Sequence, residues 1–149
     1  MPPMKKPPTL FTVEQRDRIV AAINRAERTT STEIRVHIEN RCIGEVMGRA
    51  VMVFEQLEMH RTKLRNGVLI YLALQDRKAA IIGDVAINAC VGEGFWKQCY
   101  ATLSAHLSKG EFTEGICTAI DMLRTELKPD FPHHEGDTNE LPDDISFGR

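Results

Sequence analysis

At 149 residues, with 42% apolar and 27% charged side chains, the chain has the length and composition of one globular domain with a sizeable core. A formal charge of −2 supplies no field for nucleic acid or an anionic surface, and no apolar run approaches the ~20 residues of a membrane span. Cys42, Cys90, Cys99 and Cys117 include no C-x-x-C pair, which argues against a zinc ribbon or redox dithiol and reads as reduced thiols of a cytoplasmic protein.

Residues 1–10 are proline-rich, are expected to be disordered, and show no apolar stretch after their lysines that would make a signal peptide. The domain is expected over 11–128. Thr12 and Gln15 form a capping box, and Val13, Ile19, Val20 and Ile23 give the helix behind it an apolar side that ends near Glu27. Glu33–Glu39 alternates strictly between charged and apolar residues, with Ile34, Val36 and Ile38 on one face. That pattern predicts a half-exposed strand, nearer a sheet edge than the strands that follow. Val46, Met47, Ala50, Val51, Phe54 and Leu57 recur at helical spacing and predict a helix over Glu45–Met59. His60, Arg61, Lys63 and Arg65 make the next linker basic, fit to receive a phosphate or an acidic tail, or simply solvated.

Val68–Leu74 and Ala79–Ile82 are apolar runs separated only by Gln75, Asp76, Arg77 and Lys78. Neither run alternates, so both are expected to be strands buried on both faces and joined as a hairpin. The first strand, the helix and Val68–Leu74 form a β-α-β unit, parallel by rule, and the third strand returns antiparallel. A short helical turn over Ala86–Val91 follows. Then come a helix over Glu93–Lys109 closed by Gly110, and a last helix capped at Thr113 and stopped by Pro129. The fold class is thus α/β: a small mixed sheet flanked by helices. Residues 129–149 form an acidic tail with a local balance of −5, through which Phe131, Leu141, Ile145 and Phe147 are spaced as anchors. Part of this tail is expected to dock on the domain, with Asn139–Asp144 near the basic linker.

The chemistry-bearing residues fall at strand ends, where an α/β protein commonly builds its site. Asp76 and Arg77, in the hairpin link, are the catalytic candidates. Phosphoryl transfer needs a cation to neutralise developing charge and an acid to hold metal or position water. The competing reading is a turn-forming Asp beside a solvated Arg. With an antiparallel third strand, Asp84 comes near Glu33, Ser31 and Asn66, an oxygen-rich set suited to calcium or magnesium. Asp84 equally suits capping the turn that follows it. The same topology puts Asp76 and Asp84 at opposite ends of the sheet. His133, His134, Glu135 and Asp137 could hold a transition metal, and His37 and His106 are isolated. No nucleophile elbow, P-loop or H-E-x-x-H motif is present, and no basic stripe supports nucleic-acid binding.

The pieces TSTEIRVHIE, RNGVLIYLALQDR and KAAIIGD, followed in order by EGFWKQCYATLSAHL and FTEGICTAIDML, resemble the TPM domain family over about Phe11–Lys128. The resemblance implies a compact α/β domain and divalent cation binding, calcium included, at the acidic end of the sheet. It also implies an acid-phosphatase-like activity known in a plant member, while many members have no assigned activity. Relatives often carry a signal peptide and a membrane segment, neither of which this sequence displays, and NELPDDISFG looks like a feature of a soluble bacterial subgroup. Two functions follow as expectations. One is a cation-assisted phosphomonoester hydrolase acting on a small phosphorylated substrate. The other is a non-catalytic module whose acids hold a structural ion or meet a protein partner.

Overall fold

A computed structural model describes residues 11–134 and 144–148. Five helices and a four-stranded sheet follow in the order α1 (Val13–Thr29), β1 (Glu33–Glu39), α2 (Val46–Gln56), β2 (Gly67–Ala73), β3 (Lys78–Gly83), α3 (Val85–Cys90), α4 (Glu93–Ser108), α5 (Phe112–Leu127) and β4 (Ser146–Phe147). A 3₁₀ turn, Met59–Arg61, links α2 to β2. The sheet order is β3-β2-β1-β4. β1 is parallel to both β2 and β4, and β2 is antiparallel to β3, as the β-α-β unit and the four-residue link require.

Local sequence sets most boundaries. Thr12 and Gln15 cap α1 reciprocally, which satisfies two of the backbone donors a helix start leaves open. Glu45 caps α2 by accepting from the Met47 and Gly48 amides. Gly110 ends the α4 region at a left-handed φ of 79°, a conformation that costs glycine nothing. α5 begins one residue before Thr113 with Glu111 at its cap, and Thr113 is buried instead of capping.

Two cores sandwich the sheet. Ile34, Val36 and Ile38 of β1 and Val68, Ile70 and Leu72 of β2 join residues of α1, α4 and α5 on one face. Leu69, Tyr71 and Ala73 join Ala50, Val53 and Phe54 of α2 on the other. Three helices therefore cover one face while α2 alone covers the second. Two expectations are corrected here. β1 is an interior strand buried along nearly its whole length, because α2 and β4 close over the charged row of Glu33, Arg35, His37 and Glu39. β3 is an edge strand, as is the short β4, and β3 is buried only in part. Alternation reports which face is apolar, but a charged face can be buried when it finds partners.

Candidate functional site

A groove of about 1100 Å³ opens beside α2 at the carboxyl ends of the parallel strands β1 and β4, the end of an α/β sheet where ligands are usually met. Its floor is a buried polar network centred on Glu39, which is 2% exposed. Arg49, on the first turn of α2, grips the Glu39 carboxylate with Nε and Nη2, both at 2.8 Å. His37, two residues back on the same face of β1, meets Oε1 through Nε2 at 3.0 Å. The Tyr71 hydroxyl donates to Oε2 from the neighbouring strand, and the His37 and Tyr71 rings stack at 5.9 Å.

This arrangement decides the ionisation. Burial is the largest single influence and would raise the Glu39 carboxyl, but the bonds from Arg49, His37 and Tyr71 together outweigh it and hold it at about 2. Burial, reinforced by Glu39, pushes the Tyr71 phenol well above its usual range, so Tyr71 remains a donor. The hydrogen bond to Glu39 raises the Arg49 guanidinium. A carboxylate held in this way is an anion with three donors, unsuited to accept a proton at neutral pH.

The groove rim differs from its floor. Ile43 is 90% exposed and Met52 50%. Arg41, Leu57 and Phe147 complete the wall. The tail forms one side. Ser146 Oγ lies 2.9 Å from His37 Nδ1, and the Gly148 amide donates to the Ile38 carbonyl at 2.9 Å. A Cβ on Gly148 would collide with Glu39 Oε1 and come within 2.7 Å of His37 Nε2.

The antiparallel register separates the two sequence-derived sites. Asp76 lies at the groove end of the sheet, where its Oδ2 accepts from the Cys42 amide at 2.8 Å, one residue from Arg41 and Ile43. Arg77 has a left-handed φ of 53° and reaches away to the Ser108 carbonyl at 2.5 Å. Asp84 lies at the opposite end, caps α3 through Val85 N at 2.8 Å, and is held by Arg65 at 2.7 Å on each oxygen. Asn66 Nδ2 donates to the Ser31 carbonyl at 2.8 Å, Glu33 N to the Asn66 carbonyl at 3.1 Å, and Asp84 N to the Gly67 carbonyl at 2.9 Å, so the backbone of all four residues lies at one end of the sheet. As a cation cage the cluster fits poorly, because a guanidinium already lies against both Asp84 oxygens. The buried Asn66 Oδ1, which has no hydrogen-bond partner, is an oxygen still open there. Among the described residues no group of three or more His, Cys, Asp and Glu side chains is placed to hold a metal.

Of the other candidates, Arg61 pairs with Glu58 and His106 with Glu111. The His133–Asp137 set lies partly outside the described residues, since Glu135 and Asp137 are not among them; Asn139–Asp143 is likewise outside. The described end of the tail docks on β1, and Asp144 pairs with Arg16 of α1 instead of the basic linker. Sequence reasoning passed over Glu39, Arg49, Tyr71 and Ser146. One signal was available: a Tyr inside an otherwise apolar strand needs a partner for its hydroxyl, and the charged row of β1 faces the same side.

A mixed sheet with three helices on one face and one on the other defines a small α/β domain class. The sequence pattern of the TPM domain matches residues 5–126, and the chain belongs to the TPM domain family. The NMR structure of BA42 from the psychrophilic bacterium Bizionia argentinensis is similar at 40% identity and a TM-score of 0.85, over 91% of this chain and 94% of that one. The N-terminal domain of a P. gingivalis protein shares the fold at 18% identity and a TM-score of 0.67, over 85% and 83% of the two chains. The N-terminal domain of the cg2496 protein from Corynebacterium glutamicum does so at 11% and 0.64, over 90% and 78%. No curated protein matches the sequence. No helix among the described residues is long and apolar enough to cross a membrane.

Proposed function

We propose that this TPM domain is a non-catalytic interaction module whose groove beside α2 receives a polypeptide partner. The observation that carries this reading is the exposed apolar rim, Ile43 and Met52; α2 also exposes Met47 and Val51. Clusters of exposed large apolar side chains mark interaction surfaces, and methionine adapts to varied partners. Arg41 adds a positive charge at the rim, so the fitting partner presents apolar anchors beside a carboxylate. The floor supports the same reading, since its one carboxylate is fully engaged and supplies architecture.

Peptides selected on the full chain from a displayed random library test this. The expected winners combine apolar residues with an acid and shift the amide resonances of Arg41, Ile43 and Met52. Selection of no peptide, or shifts confined to another surface, would refute it.

A hydrolase is the second reading, favoured by Asp76, which accepts from the Cys42 amide between the groove residues Arg41 and Ile43. It requires turnover of para-nitrophenyl phosphate, with calcium or magnesium supplied, that disappears in Asp76→Ala while the fold persists. An interaction module gives the same rate as buffer.

A further inference from the structure

We infer that the edge of β1 beside the groove is a strand-addition site for an extended peptide of the pattern acid–Ile–Ser–Phe–Gly, and that Asp144–Gly148 of the chain itself is its resident occupant. This rests on the reading of the domain as an interaction module and specifies one segment that such a module takes, seated beside the groove.

Each position of the segment meets a feature shaped for it. Asp144 takes Arg16 at 2.5 and 3.2 Å. Ile145 is buried in the larger core. Ser146 meets His37 Nδ1 with its hydroxyl, which donates to that nitrogen while Nε2 carries the ring proton toward Glu39. Phe147 packs edge-on to Phe11 with centroids 6.0 Å apart, under the Arg16 guanidinium at 6.0 Å. Gly148 sits where the backbone lies flat against Glu39 and His37 and any side chain is excluded.

The backbone contribution, by contrast, is small. β4 pairs with only two residues of β1, His37 and Ile38, well below the usual strand length. Side-chain fit therefore dominates the recognition, as in strand addition to a sheet, where backbone bonds set direction and pockets set sequence. A strand held by so short a ladder can exchange with a competitor bearing the same pattern. While seated, it lowers the competitor's apparent affinity by the fraction of time the site is closed.

The test uses the full chain with its own strand evicted. Gly148→Val does this by steric conflict, and Asp144→Arg does it independently by repulsion from Arg16. A labelled peptide copying residues 143–149 is titrated into each variant and into the unmodified chain, followed by anisotropy and by the amide resonances of His37 and Ile38. The expected result is affinity for the evicted variants about tenfold or more above that for the unmodified chain, with shifts at both amides, and loss of binding when the peptide glycine is replaced by valine. If evicted, natively folded variants ignore the peptide while library-selected peptides still bind the groove, the inference falls and the interaction module stands. If neither peptide binds, both fall. If the strand stays seated in both variants, the assigned specificity is wrong.

Discussion

Glu39 carries the clearest consequences at the scale of single residues. Its pKa lies at about 2 in the fold against 4.5 for an unperturbed carboxyl, a difference worth about 3 kcal/mol. A depressed carboxyl contributes its full stabilisation above pH 4.5 and loses it as pH falls toward 2. Urea unfolding across that range should therefore show an acid limb that is largely flattened in Glu39→Gln. At neutral pH the same substitution should cost about 3 kcal/mol, since it leaves Arg49 without its counter-ion. A variant as stable as the unmodified chain, or an unchanged acid limb, would mean the network is ornamental. Asp84, at the other end of the sheet, is held by Arg65. A calcium ion entering there must displace Arg65, so calcium should raise the Tm of Arg65→Gln by more than that of the unmodified chain. Equal shifts in a thermal melt would remove Arg65 as the resident cation.

Among the elements, α4 and α5 pack closely. Gly115 lets them approach so closely that a Cβ would lie 2.8 Å from His106 Cβ and 3.4 Å from the Leu103 carbonyl oxygen. Backbone and Cβ atoms cannot swing aside as a side-chain tip can, so Gly115→Ala should destabilise by about 1–3 kcal/mol, measured by chemical denaturation. A neutral result would show that the helix pair slides freely. Helix existence and type were legible in the sequence because each is a local property, as were the caps at Thr12 with Gln15 and at Gly110; the caps at Glu45 and Glu111 were not. The strand environments of β1 and β3 were not. Whether the charged row on β1 faces water depends on α2 and on β4, whose partner residues lie 109 positions away in the case of His37 and Ser146.

For the whole molecule, the uneven cover of the sheet is what creates a surface to use. One face is closed by α1, α4 and α5, while α2 alone leaves a groove whose fourth side is the tail. The hairpin register then sends Asp76 to the groove end and Asp84 to the other, so the two acids serve different surroundings and cannot share one ion.

The sequence by itself determined the α/β class, the parallel and antiparallel pairings, the helices and the family, since these follow from hydrophobic period, turn length and capping chemistry. Only the tertiary structure decided the centre of the groove. Glu39, Arg49, Tyr71 and Ser146 come from four separate elements, and nothing local to any of them specifies the other three. Packing alone brings their side chains within hydrogen-bond range, and burial then makes each depend on the rest.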